Sequence, residues 1–138
     1  MKISHLISFI GGAVLMLLIA GVNRSEAQAP NHVYELRMYH ANPGKLDALH
    51  KRFRDHTITI FNRHHMKSVG YWVPQDNKDN LLIYILEHPS REAATKNWDD
   101  FRKDPEWVKV KAESEANGAL VDHVDDTFMS PTDYSMMK

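Results

Sequence analysis

The stretch FRKDPEWVKV, Phe101–Val110, interrupts what otherwise reads as one long charged helix. A residue that precedes proline is pushed out of helical geometry, so a helix opening at Ser90 and carrying Ala94, Trp98 and Phe101 along one side should end at Lys103-Asp104. Asp104 then acts as the N-cap of a new helix, Pro105 suits its first position, and Glu106 complements its dipole. DPEW is therefore a corner between two helices. It turns Trp98 on one arm and Trp107 on the other toward a common core.

Working outward, VYELRMYHA (Val33–Ala41) alternates Tyr34, Leu36 and Met38 with Val33, Glu35, Arg37 and Tyr39, the period of a strand. NPGK is a turn. After it, Leu46, Leu49, Phe53, Thr57 and Ile60 recur at three- and four-residue spacing, which predicts an amphipathic helix from Lys45 to about His64. MKSVGYWV (Met66–Val73) and LLIYILEH (Leu81–His88) read as two strands around the polar loop PQDNKDN, and ALVDHVDDTFM (Ala119–Met129) as a fourth. The order βαββααβ is an α+β, ferredoxin-like arrangement with a four-stranded antiparallel sheet.

LLIYILEH is apolar in both registers, with Leu81, Ile83 and Ile85 on one face and Leu82, Tyr84 and Leu86 on the other. Helices in this topology cover one face only, so a second sheet must cover the other. The simplest cover is the same sheet of another copy. A homodimer with the form of a dimeric α/β barrel follows.

The chain has 138 residues, room for one domain. Lys2, an apolar run from Leu6 to Val22 and the small residues Ser25 and Ala27 compose a secretory signal peptide over residues 1–27, cut after Ala27. The rival is an uncleaved anchor, since the run approaches the ~20 residues that span a bilayer. Cleavage implies a periplasmic or secreted protein with no membrane attachment. The remaining domain, 28–138, holds 15 basic and 17 acidic residues, dispersed among one another. That balance excludes an electrostatic footprint for nucleic acid. Without cysteine there is no disulfide, thiolate metal site or thiol nucleophile.

YELRMY, PGKLDALHKRFRDHT, VGYW, HPSREAATKNWDDFRKDPEW and FMSPTDYS together resemble signature stretches of the NIPSNAP family, in its small exported bacterial form. The resemblance covers essentially all of the domain and implies the dimeric α/β barrel. It implies no reaction. The wider barrel superfamily includes cofactor-free oxygenases and haem-handling proteins, an analogy of fold. One departure is visible: Met66 follows His64-His65 where the family commonly has His-Gly, so His65 is expected in a strained, left-handed helix cap.

Glu35 and Arg37 share a face of the central strand, where a charge must be paired or used. Either they form an ion pair within the barrel or across the dimer, with Asp122 or Asp126 on the fourth strand as further partners, or Arg37 orients an anionic or carbonyl ligand with Glu35 as base. His64 either caps the last carbonyls of its helix or acts as a general acid/base near Tyr71 or Trp72. Tyr39 joins Arg37 and His64 as a catalytic candidate. Trp72, Tyr84 and His123 join Glu35 as ligand contacts, although aromatics on strands, Phe128 among them, more often fill a core. No metal is expected: HxH, HxxxH and HExxH are absent, so a site would have to recruit His40, His88 or His123 from strands. No phosphate loop or nucleophile elbow appears, and no cofactor is predicted. Three functions fit: a homodimer binding a small organic molecule between sheet and helices, a cofactor-independent enzyme using that cavity, or a protein-interaction module.

Overall fold

The computed structural model describes residues 32–137. The predicted signal peptide and its cleavage point lie outside the described residues. Strand β1, Val33–Ala41, leads into a turn at Asn42-Pro43-Gly44, closed by the Lys45 amide donating to the Asn42 carbonyl at 2.9 Å. Gly44 sits at φ 72°, the left-handed third position of a type II turn with Pro43 at the second, where glycine carries no Cβ penalty. Helix α1, Leu46–Arg52, follows.

The predicted single helix is interrupted. Phe53–Thr57 forms a π-helical turn before α2, Ile58–Arg63. Within it the Ile58 amide donates to the Phe53 carbonyl, and Thr57 Oγ1 donates to the Arg52 carbonyl at 3.2 Å. That side-chain bond competes with the regular ladder and favours a widened turn. The extra residue rotates everything downstream: both Ile60 and Phe61 become fully buried, and His64 turns toward Asp104.

The end of α2 shows why His65 is unusual. The Met66 amide bonds the Phe61 carbonyl at 2.9 Å and the His65 amide bonds the Asn62 carbonyl at 3.2 Å, the two bonds of a Schellman motif. Met66 and Phe61, whose apolar contact accompanies that motif, both lie in the core. The motif demands a left-handed residue at position 65, and His65 takes φ 58°. The expected strain is present.

Strands β2, Lys67–Trp72, and β3, Leu81–His88, precede α3, Arg91–Lys103, and α4, Pro105–Ser114; β4, Val121–Met129, closes the chain. Ser90 Oγ caps α3 by accepting from the Ala93 amide at 3.1 Å. Asp104 Oδ1 caps α4 by accepting from Glu106 at 2.8 Å and Trp107 at 3.3 Å, with Pro105 in the first turn. The corner works as the sequence requires. Phe101 stands between its arms, with ring centroids 5.5 Å from Trp98 and 4.5 Å from Trp107. Buried Arg52 ties α1 to this corner, lying over Trp107 and bonding Glu115 at 2.8 Å.

The sheet order is β2-β3-β1-β4, antiparallel throughout, so β1 is central. Leu82, Tyr84, Leu86 and His88 of β3 are buried beneath the helices. The opposite face carries Leu36, Met38, Ile83 and Ile85, all half-buried, together with Trp72. The Trp72 indole crosses Gly70 so closely that a Cβ there would stand 2.7 Å from the ring, which is why residue 70 has none.

His65→Gly should remove the left-handed penalty, about 1 kcal/mol, and raise the thermal unfolding midpoint by a few degrees. A midpoint lowered by the substitution would mean that the imidazole holds the turn together.

Candidate functional site

The alternation of β1 delivers Glu35, Arg37 and Tyr39 to the helix-facing side of the sheet. Glu35 is only 1% exposed. A carboxylate so far from water must be fully hydrogen-bonded, and three donors converge on it. Arg37 Nη1 donates to Oε1 at 2.6 Å, while His88 Nε2 and Trp98 Nε1 donate to Oε2 at 2.9 and 2.7 Å. Burial pushes the Glu35 carboxyl up, but the bonds from His88, Trp98 and Arg37 more than offset this and hold it below its ordinary value. Burial likewise works against the Arg37 charge. Tyr39, Tyr84 and Glu35 outweigh it and keep the guanidinium firmly protonated. Arg37 also lies over the Trp98 ring, 4.3 Å from its centroid.

Glu35 and Arg37 form an ion pair with each other. Its partners differ from those expected: Arg37 pairs with Glu35 on its own strand, while Asp126 stands opposite Arg37 in register. His88 and Trp98 complete the network. The sequence pattern points Trp98 to packing alone and His88 only to metal ligation. The signal for His88 lies in LLIYILEH, whose alternation puts it on the face of Leu82, Tyr84 and Leu86.

Tyr39 and Tyr84 extend this centre along the sheet, with centroids 5.3 Å apart. Tyr84 is fully buried, and burial, with Tyr39 beside it, pushes its pKa well up. Beyond it stand Tyr71 at 5.5 Å and Phe53 at 5.3 Å. Tyr71 and Phe53 also line a cleft of about 260 Å³, with Leu82 and Ile58 as further apolar wall and His50, Arg54 and Thr59 around it. Phe53 belongs to the π turn, a feature frequent at functional sites. Tyr71 and Phe53 thus form part of the cleft wall, with the Tyr39 and Tyr84 rings packed against them. A Tyr71–Ser68 hydroxyl contact of 2.6 Å fixes that wall.

The other candidates lie elsewhere. Trp72 is on the opposite face of the sheet, 49% exposed. His123 stands opposite His40 at the start of β4, far along that same face. His64 Nε2 contacts Asp104 Oδ2 at 2.7 Å, so it binds the N-cap of α4 rather than the last carbonyls of its own helix. Burial raises Asp104, yet His64, the two capping amides and Arg63 leave it below its ordinary value.

A four-stranded antiparallel sheet with helices packed on one face makes this an α+β domain of the ferredoxin-like kind. The family model described as NIPSNAP matches residues 34–136, and the chain belongs to the NIPSNAP family. Among solved structures, a NIPSNAP family protein with unknown function from Agrobacterium tumefaciens is 22% identical with a TM-score of 0.69, covering 80% of this chain and 96% of that one. A second NIPSNAP family protein from the same organism is 20% identical, TM-score 0.69, covering 78% and 99%. SnoaB, a cofactor-independent oxygenase from Streptomyces nogalater solved as a mutant, is 13% identical, TM-score 0.51, covering 78% and 99%. At these identities the structures establish the fold they share. No curated protein matches the sequence.

The Glu35 network makes stability acid-sensitive. Its folded pKa is lowered, so its contribution is complete above the unfolded carboxylate value of about 4.3 and is lost as pH falls through the folded value. Trp98→Phe removes one of the three donors. Urea unfolding at pH 7 should show a loss of about 1.5–3 kcal/mol, with acid unfolding moved to higher pH. An unchanged acid profile would show that the indole bond contributes nothing to the carboxylate.

Proposed function

We propose that the protein is exported and acts as a homodimer that binds a small, partly apolar organic molecule at the cleft between sheet and helices. The observation that carries the reading is the cleft beside the π turn. Its walls are Phe53, Ile58, Tyr71 and Leu82, with His50, Arg54 and Thr59 as polar groups. A mostly apolar concavity with a few convergent polar groups is the usual form of a ligand site, and about 260 Å³ lies just below the common range of roughly 300–1,000 Å³. The ligand is therefore small. With Arg37 committed to Glu35, the cation nearest the bound molecule is Arg54, which favours an anionic or carbonyl-bearing compound.

Assembly follows from the other face of the sheet. Leu36, Met38, Ile83 and Ile85 form a contiguous apolar surface extended by half-exposed Trp72, and a second copy of the same sheet is its self-complementary cover.

A second reading is a cofactor-independent enzyme. Tyr71 on the cleft wall and Tyr84 packed against it supply hydroxyls able to polarise a substrate.

Native mass spectrometry of the protein purified from its own source tests the binding reading. A dimer carrying an adduct is expected, with Ile58→Trp retaining the dimer and losing the adduct because the new indole fills the cleft. An adduct retained in that variant would place the molecule elsewhere. A bare protein that binds none of a panel of small aromatic and aliphatic acids would contradict the reading.

A further inference from the structure

At the end of the sheet face away from the helices, beyond the apolar surface, three potential metal ligands meet. His40 near the end of β1 and His123 near the start of β4 are register partners, and their imidazoles stack with centroids 3.9 Å apart and planes 19° from parallel. Asp125, two residues beyond His123 and so on the same face, brings Oδ2 to 3.1 Å from His40 Nε2. One ligand atom from each of the three lies within 4.8 Å of the other two. The register shifts between His40 and Ala41, so that His40 faces His123 while Ala41 faces Val121, and Asp122 is the extra residue. Bulges of this kind re-aim side chains beside functional sites. Here the bulge leaves the Asp122 carboxylate free to accept a hydrogen bond from His123 Nδ1 at 2.7 Å. In that arrangement Nε2 of the neutral ring carries the lone pair. A carboxylate behind a histidine is the usual orienting partner of a ligating imidazole.

We infer that His40, His123 and Asp125 form a binding site for a borderline divalent transition-metal ion such as Zn²⁺, with Asp122 as the positioning residue for His123. Two imidazoles and one carboxylate suit Zn²⁺ and its neighbours rather than Mg²⁺ or Ca²⁺, which take oxygen ligands. Three protein ligands leave a fourth tetrahedral position for water or a ligand atom. Closing on the ion requires ligand atoms about 3.3 Å apart, given metal–ligand bonds of ~2.0–2.1 Å. The side chains have room to make that adjustment, since His123 and Asp125 are more than half exposed and His40 a quarter exposed. This inference is independent of the cleft, which lies on the other side of the sheet.

Isothermal titration of the untagged protein with Zn²⁺, backed by the visible spectrum of the Co²⁺ form, reads the site directly. One ion per chain is expected, with a nitrogen- and oxygen-ligated Co²⁺ spectrum of low coordination number. His40→Ala and His123→Ala should each weaken binding about 100-fold or more, and Asp122→Asn about tenfold. His56→Ala, on the π turn, should leave it unchanged. All four positions are at least partly exposed, and circular dichroism confirms that each variant is folded. Zn²⁺ affinity equal in wild type, His40→Ala and His123→Ala would overturn the inference, as would no Co²⁺ spectrum at millimolar ion.

Discussion

The structure turns on one buried carboxylate. Glu35 sits in the middle of the central strand, facing helices rather than water, and three donors from three elements meet on its two oxygens. Each donor also performs a second task. Arg37 carries its charge beneath the Trp98 ring, His88 ends the most apolar strand of the sheet, and Trp98 joins α3 to the aromatic core through Phe61 and Phe101. Hydrophobic burial alone would let α3 slide over the sheet, because apolar contacts carry little direction. The hydrogen bonds from an indole and an imidazole to one carboxylate fix where the helix stands.

From that fixed point the remaining geometry follows. With α3 seated, the Asp104 corner directs α4 back over the first helix, where Arg52 meets Trp107 and Glu115. His64 and Arg63, at the end of α2, bind the same Asp104 that caps α4. One N-cap residue therefore joins the two helical arms and the preceding helix. The π turn then places Phe53 against both Tyr39 and Tyr71, so that the charged centre passes through a layer of aromatic rings to the cleft.

The element order, both N-caps and the two-faced character of β3 were legible because each depends on local chemistry: proline geometry, short polar side chains, and alternation. The π turn was not. Spacings of three and four residues fit a continuous helix equally well, and the Thr57 bond that widens the turn depends on local geometry that spacing does not report. Glu35 and Arg37 were legible as a problem, two charges on an interior strand, but not as a solution. Their other partners lie 53 and 63 residues away, and only tertiary packing brings His88 and Trp98 to them. His40 and His123 were legible as strand histidines that a metal site would recruit, but their meeting with Asp125 was hidden for a related reason. Searches for histidine pairs along one segment miss ligands that meet across a ladder, and here a bulge also sets the register.

If Glu35 is the anchor of the fold, then its neutral isostere should be costly even though shape and volume are kept. Equilibrium urea unfolding of Glu35→Gln against wild type at pH 7 measures this directly. The expected loss is about 3–5 kcal/mol, the usual consequence of leaving a buried cation without its counter-charge. Stability within about 0.5 kcal/mol of wild type would contradict the account and return Glu35 to the list of groups held ready for chemistry.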